Sequence, residues 1–276
     1  MLWRLFHKSA IHKYCHGEKP WAVVTGSTDG IGKELARVLL ESNFNVLLHG
    51  RSEEKLNKLS QAFKLEFPHL DLAVVVADAS KPDTFANIVE ALQGKHVTVF
   101  INNVPYSEQA MNIFADDSAA QVQRGLDMGV QFVTKLTHGV LPILIKNGPS
   151  LLINNGSLVA AIPGPYLAVY ASSKAYLKTF TNCLAIESKR YGQGVEVLYM
   201  DIHNVNSGGN KTPVSFTTPS SNDMAKAIIR AVGCGKTEVT PYWTHELMRW
   251  IFPLVPNSVL VDTIATTLET TIKKQT

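Results

Sequence analysis

Apolar and polar positions along this chain fall into alternating blocks, short valine-rich runs followed by longer stretches of helical period. Residues 21–25 (WAVVT) form an apolar run long enough for a buried strand. Residues 26–32 (GSTDGIG) make a glycine-rich turn, after which Ile31, Leu35, Val38 and Leu39 recur at helical spacing. The pattern then repeats. Strands are predicted at 45–49 (NVLLH), 71–77 (DLAVVVA), 97–101 (VTVFI), 150–154, 195–200 and, briefly, 237–240. Helices are predicted at 53–67, stopped by Pro68, at 81–93, ending on Gly94, and at 118–146, 167–190 and 222–233. Strands that alternate with helices predict a parallel sheet covered on both faces. With right-handed crossovers this is one doubly wound α/β domain of about seven parallel strands. There is no internal repeat. Residues 19–245 make the domain, 1–18 a basic and apolar arm, and 246–276 an apolar extension with a basic tail.

The first turn carries chemistry. A glycine-rich turn between a strand and a helix is the setting in which a dinucleotide pyrophosphate meets a helix N-terminus. Gly26 permits the sharp turn, Gly30 lets the backbone approach the phosphates, and Gly32 lets helix and strand pack closely. Ser27, Asp29 and Ile31 complete the cradle. The second strand ends at Arg51, nineteen residues after Gly32. An acid near there would bind a ribose 2′-hydroxyl, whereas an arginine accommodates a 2′-phosphate, so NADP(H) is the expected cofactor. Asp78, after the third strand, is placed to reach the adenine edge, and Asn102 ends the fourth strand.

A second constellation lies downstream. Tyr170 and Lys174 are four apart, on one face of a helix, with Ser157 thirteen residues before the tyrosine. An ammonium beside a phenol favours the phenolate, so Lys174 is expected to lower the pKa of Tyr170 and make it a usable proton donor.

Composition narrows the setting. Hydrophobic residues are 45% and charged residues 18%, the profile of a packed protein. A formal charge of +3 gives no footprint for nucleic acid. Cys15, Cys183 and Cys234 are scattered, as reduced thiols are, and no metal-ligand spacing occurs. No run reaches the ~18 continuous apolar residues of a spanning helix. Residues 1–16 read either as a basic amphipathic helix touching a membrane or subunit, or as an arm packed on its own domain.

Together, residues 25–32 (TGSTDGIG), Asn102-Asn103, Ser157 and Tyr170 with Lys174 resemble the short-chain dehydrogenase/reductase family over about residues 19–245. The stretches WAVVTGSTDGIGKELA and HGRSEEKL, and the apolar segment 245–261, are similar to its very-long-chain 3-oxoacyl reductase and 17β-hydroxysteroid dehydrogenase branch. The resemblance implies a Rossmann-type fold and NADPH-dependent reduction of a ketone on a bulky apolar substrate. Ser157 would bind the carbonyl oxygen, Tyr170 protonate it, and Lys174 also hold the nicotinamide ribose. Leu158, Tyr166 and His203 are the candidate pocket residues, and 204–221, rich in Ser, Thr, Asn and Gly, the candidate lid.

Three positions depart from the family pattern. Val104-Pro105 replaces a small pair, Gly129 stands where a proton-relay asparagine is usual, and Ile202-His203 replaces a proline-led pair. They leave two alternatives to the ketoreductase: a cofactor-binding protein without turnover, and an enzyme whose pocket serves other chemistry, with His203 as acid or base. By resemblance the two long helices pair subunits into a dimer or tetramer. The expected location is the cytoplasm. The terminal Lys273-Lys274 and the apolar segment 247–261 add the cytosolic face of the endoplasmic reticulum, by peripheral contact, as an alternative.

Overall fold

A computed structural model of the chain describes residues 6–104, 112–162 and 164–273. Pro105, Pro163 and Lys274 lie outside the described residues. The seven strands are β1 (Pro20–Val24), β2 (Asn45–Gly50), β3 (Leu72–Val76), β4 (His96–Asn102), β5 (Ser150–Asn155), β6 (Val195–Met200) and β7 (Glu238–Val239). They form one sheet in the order β3-β2-β1-β4-β5-β6-β7. Every pairing is parallel. The order reverses between β1 and β4, and the loops at the carboxyl ends of these two strands flank a crevice there.

The helices in chain order are α1 (Gly30–Glu41), α2 (Glu53–Glu66), α3 (Phe85–Ala91), α4 (Ala119–Leu126), α5 (Val133–Lys146), α6 (Ala168–Arg190) and α7 (Ser221–Ala231). They divide between the two faces because strand side chains alternate. Ala22 and Val24 of β1 join a core with Leu35 and Leu39 of α1 and Met224 and Ile228 of α7. Trp21 and Val23 join the opposite core, with Ile88 of α3 and Leu136, Val140 and Leu144 of α5. Ser52 caps α2 by accepting from Lys55 N at 3.3 Å, with Glu53 and Glu54 in the first turn, the charge arrangement a helix N-terminus favours.

Two stretches differ in detail from the expected pattern. The stretch 118–146, read as one helix, is broken by a π-helical segment, Asp127–Phe132, between α4 and α5. Gly129 sits in it and packs directly on α6: a Cβ there would come within 2.6 Å of Ser173 Cβ. The wide turn and the missing side chain let the two helices approach at the site described below. Ala119–Lys146 as a whole is long and apolar enough to cross a membrane by length and composition. Its apolar side, with Phe132 and Leu136, is buried in the core. The stretch 81–93 divides into a 3-10 turn, Pro82–Thr84, and the shorter α3.

The extension is helical rather than merely apolar. It forms α8 (Trp243–Ile251), a 3-10 turn and α9 (Asn257–Lys273). Glu238 of β7 ties α8 to α6, bonding Arg249 at 2.7 Å and Lys178 at 2.8 Å. The described part of the N-terminal arm packs on its own domain. Ala10 N donates to Val232 O at 3.0 Å, Tyr14 is fully buried, and its hydroxyl bonds Glu196.

Candidate active site

The site is assembled where β1, β4 and β5 end. Gly26 leaves β1 with φ +63°, and Gly30 opens α1 with φ +55°. Both are left-handed conformations that favour glycine. Asp29 caps α1, its carboxylate accepting from Gly30 N at 2.6 Å. Gly32 admits no side chain, since a Cβ would lie 2.1 Å from Gly26 O. Ser27 is buried and donates to His49 O at 3.2 Å. Ile31 is partly buried against the α1 core.

His49, which the sequence reading passed over as a strand end, organises this turn. Gly26 N donates to its Nδ1 at 3.1 Å, and Nε2 lies 3.1 Å from Ala77 O. One nitrogen accepts and the other faces an acceptor, which fixes the neutral tautomer. Burial lowers its pKa to about 4, more than the Ala77 contact and the Asp78 charge raise it.

Arg51 is exposed just past β2. Its charge reaches Asp78, which accepts from Ser80 N and Oγ at 3.0 and 2.8 Å. Burial pushes the Asp78 carboxyl up, but the Ser80 bonds and the charges of Arg51 and Lys81 outweigh it and hold it below its ordinary value. The two residues are thus neighbours at the ends of β2 and β3.

Asparagines join the strand ends. Asn102 donates to Thr137 Oγ1 at 3.1 Å and Asn154 Oδ1 at 2.8 Å. Asn103 donates to the carbonyls of Thr25 and Gly26 at 3.1 and 3.3 Å. It thereby clamps the β4 end to the glycine-rich turn.

Ser157 follows β5, and its backbone is gripped by Tyr199 of β6. Ser157 N donates to Tyr199 Oη at 3.1 Å, and that hydroxyl donates to Ser157 O at 3.3 Å. Gly156 is required beneath it, because a Cβ there would lie 2.0 Å from the Tyr199 ring. The Ser157 side chain stands near enough to Tyr170 to act on its phenol, pulling its pKa down. Lys174 donates to Asn155 O at 3.1 Å, with Nζ 5.8 Å from the Tyr170 ring centroid. The structure therefore brings Ser157, Tyr170 and Lys174 together.

The electrostatics correct one expectation. Tyr170 is raised above its ordinary pKa, not lowered: burial pushes it up, outweighing the Ser157 side chain that pulls it down. The Lys174 ammonium is directed at the Asn155 carbonyl instead. Burial lowers its own pKa to about 8.

The candidate pocket residues are not gathered in one place. Leu158 follows Ser157 and is partly buried, its N–H donating to Ile202 O at 3.1 Å. Tyr166 adopts φ +65° and reaches Glu269 of α9 at 3.4 Å. His203 is packed under the extension, its ring stacked on His245 of α8 at 4.5 Å and 3.7 Å from Asp201. Its side chain is only 3% exposed, which removes it from an open pocket. The segment 204–221 is tied by its own side chains, Asn210 Nδ2 to Val205 O at 3.1 Å and Asn206 Nδ2 to Thr212 O at 2.8 Å. It lies on the glycine-rich turn, where a Cβ on Gly30 would come within 3.1 Å of Ser207.

Many known proteins are similar to this chain. A family model described as short chain dehydrogenase matches residues 20–221. The very-long-chain 3-oxoacyl-CoA reductase of Podospora anserina is 31% identical over 245 residues, 86% of this chain and 72% of that protein. That of Mus musculus is 31% identical over 238 residues, 86% of this chain and 75% of that protein. Among solved structures, a 7beta-hydroxysteroid dehydrogenase superposes with a TM-score of 0.80 at 18% identity, covering 89% of this chain and 96% of that one. A short-chain dehydrogenase from Sphingobium yanoikuyae in complex with NADPH gives 0.74 at 19% identity, over 84% and 91%. These structural likenesses bear on the fold.

Proposed function

The chain belongs to the short-chain dehydrogenase family of oxidoreductases, and from that membership we propose that it is an NADPH-dependent ketoreductase acting on a bulky apolar substrate, with a 3-oxoacyl thioester favoured over a steroid or polyketide-like ketone. The observation that carries the reading is the convergence of three side chains: Ser157 acts on the Tyr170 phenol, and Lys174, one helical turn further on, holds its Nζ 5.8 Å from the Tyr170 ring centroid. The names of the curated relatives support the 3-oxoacyl choice.

The residues fit the cofactor. Gly32 packs on Gly26 O, the first turn of α1 faces the crevice, and Arg51 offers a fork of donors for a 2′-phosphate. Gly26, Ser27, Asp29, Gly30 and Ile31 would cradle the pyrophosphate, Asp78 would meet the adenine, and Asn102 would stand by the nicotinamide half. NADPH, when bound, supplies the hydride.

The chain's own side chains handle the oxygen. Ser157 Oγ donates a hydrogen bond to the substrate carbonyl, stabilising the charge that develops there. Tyr170 Oη gives that oxygen its proton. A phenol raised by burial keeps its proton at neutral pH until a substrate oxygen draws it. Lys174, while charged, favours the tyrosinate left behind and would hold the nicotinamide ribose. Leu158, next to Ser157, is the apolar neighbour of this reading; Tyr166 and His203 face the extension instead.

NADPH oxidation by the purified protein against a long-chain 3-oxoacyl thioester, a 17-ketosteroid and an aromatic diketone, with NADH as the control, tests the proposal. Turnover with NADPH on the thioester is expected. Cofactor binding without turnover on any ketone favours the second reading, a non-catalytic cofactor-binding protein. The packing of Gly129 on Ser173 motivates it, because no relay side chain enters from there.

The reading includes peripheral contact with the cytosolic face of the endoplasmic reticulum. Trp250, Ile251 and Leu254 of the extension, 67%, 46% and 82% exposed, support it. Co-sedimentation with neutral phospholipid vesicles is expected, and its loss on Trp250→Ser with Leu254→Ser checks the surface.

A further inference from the structure

Asn155, the last residue of β5, is 7% exposed, and its side chain is oriented by its neighbours. Asn103 uses its amide nitrogen on the carbonyls of Thr25 and Gly26, so its oxygen is the acceptor for Asn155 Nδ2 at 2.9 Å. Asn155 Oδ1 therefore points elsewhere. It is a buried acceptor with no hydrogen-bond partner among the described residues. Its backbone carbonyl meanwhile receives Lys174 Nζ at 3.1 Å. An ammonium carries three donors, and among the described residues Asn155 O takes the one hydrogen bond it makes.

Both groups border a cavity of about 30 Å³, lined also by Met128, Gly129, Phe132 and Ser173. This volume holds a water, which needs roughly 10–15 Å³ and two or more polar partners. Gly129 cannot contribute a side chain, because a Cβ would strike Ser173 at 2.6 Å. Ser173 Oγ is bonded to Tyr170 O at 2.7 Å. Among the described residues Lys174 is the only charged one lining the cavity, and Tyr170 is the titratable neighbour on its own helix.

We propose that Asn155 Oδ1 and Lys174 Nζ share a water in this cavity, and that Asn155 is thereby the positioning residue that keeps Lys174 hydrated and charged. The role rests on the ketoreductase reading for its consequence, and on the unpaired acceptor, the cavity and the ammonium for its existence. A lysine with its charge solvated in this way stabilises the tyrosinate that forms when Tyr170 gives up its proton. Burial already brings Lys174 to about 8, so removing the water moves its titration into the neutral range. The asparagine at 155 supplies from β5 what residue 129 cannot supply from the π-helical segment.

The test substitutes Asn155→Leu, which fills the space with an apolar side chain, and Asn155→Ser, which keeps a hydroxyl acceptor beside room for water. Two readouts are followed. One is the titration of Lys174 by NMR of ¹⁵N-lysine protein, assigned with Lys174→Arg. The other is the pH profile of kcat with NADPH and the 3-oxoacyl thioester. In Asn155→Leu the Lys174 titration and the alkaline limb of kcat are expected to fall together by about one pH unit, tenfold in charged fraction above the pKa. NADPH affinity is expected to stay within about twofold. Asn155→Ser lies nearer wild type on both axes. Should the leucine variant not fold, Asn155→Val, suited to a strand end, carries the same expectation.

An unchanged Lys174 titration in a folded leucine or valine variant overturns the inference whatever the activity. A shifted titration in a protein whose wild type turns over no ketone upholds the role of Asn155 and removes the ketoreductase reading instead.

Discussion

Tyr199 Oη both accepts from the backbone N–H of Ser157, at 3.1 Å, and donates to the carbonyl of the same residue, at 3.3 Å. One hydroxyl on β6 thus sets the backbone from which the Ser157 side chain reaches Tyr170. Tyr199→Phe leaves two backbone groups unpaired at the site. We expect kcat to fall by about tenfold with KM for NADPH little changed, and stability to drop by about 1–2 kcal/mol, read by urea unfolding. Unaltered kcat would detach Tyr199 from the placement of Ser157.

Gly156 makes the same point from the other side. Any Cβ there enters the Tyr199 ring at 2.0 Å. Gly156→Ala is expected to cost more than Tyr199→Phe in both kcat and midpoint of unfolding, while Tyr199→Phe with Gly156→Ala offers no rescue because the ring remains. A stable, fully active Gly156→Ala protein would contradict this packing.

His49 links pH to stability. Its folded pKa of about 4 lies below the ordinary 6.5. Between those values the unfolded chain binds the extra proton, so the contribution of His49 is full above pH 6.5 and is lost as pH falls toward 4. The size is about 3 kcal/mol. His49→Gln, which can accept from Gly26 N and donate to Ala77 O, is expected to flatten the fall in urea midpoint between pH 6.5 and 4. A wild-type slope in the variant would show that the acid loss arises elsewhere.

Arg51 decides between cofactors. Arg51→Asp is expected to shift the ratio of kcat/KM for NADPH over NADH by about a hundredfold toward NADH, the scale of one charged phosphate contact turned repulsive. A preserved ratio would take Arg51 out of the phosphate site.

The oligomer is expected to be a dimer or tetramer joined through the two long helical stretches, 118–146 (α4, the π-helical segment and α5) and 167–190 (α6). Leu126, Tyr176 and Ile186 stand 42%, 36% and 68% exposed on these helices in the single chain. Light scattering after size exclusion should give at least twice the chain mass, and Ile186→Glu should reduce it toward one. A monomeric wild type would end this proposal.

Much of this architecture is legible in the residues themselves. Strands buried on both faces read as apolar runs, so β1, β2, β4 and β6 stand where the valines and leucines do. The glycine-rich turn and the Tyr170–Lys174 pair are legible because their geometry is local, set by one turn and one helical repeat. What escapes such a reading is pairing across strands. His49, Asn155 and Tyr199 matter through partners just past the ends of neighbouring strands: Gly26 and Ala77, Asn103, and Ser157. No spacing along the chain announces those contacts. The extension is obscured for another reason. Its apolar residues include exposed ones such as Trp250 of α8 and Leu254 of the turn after it, and the stacking of His245 on His203 joins residues 42 positions apart. The direction of the Tyr170 pKa also needed three dimensions, since burial opposes what the i, i+4 spacing suggests.

The most direct test of the central claim compares wild type and Tyr170→Phe in single-turnover NADPH oxidation with a long-chain 3-oxoacyl thioester, alongside NADPH binding by fluorescence. The account predicts turnover in the wild type, a loss of about a thousandfold or more in the variant, and binding affinities within about threefold of each other. Reduction by Tyr170→Phe at a rate near that of the wild type would contradict it, because the proton would then come from another group.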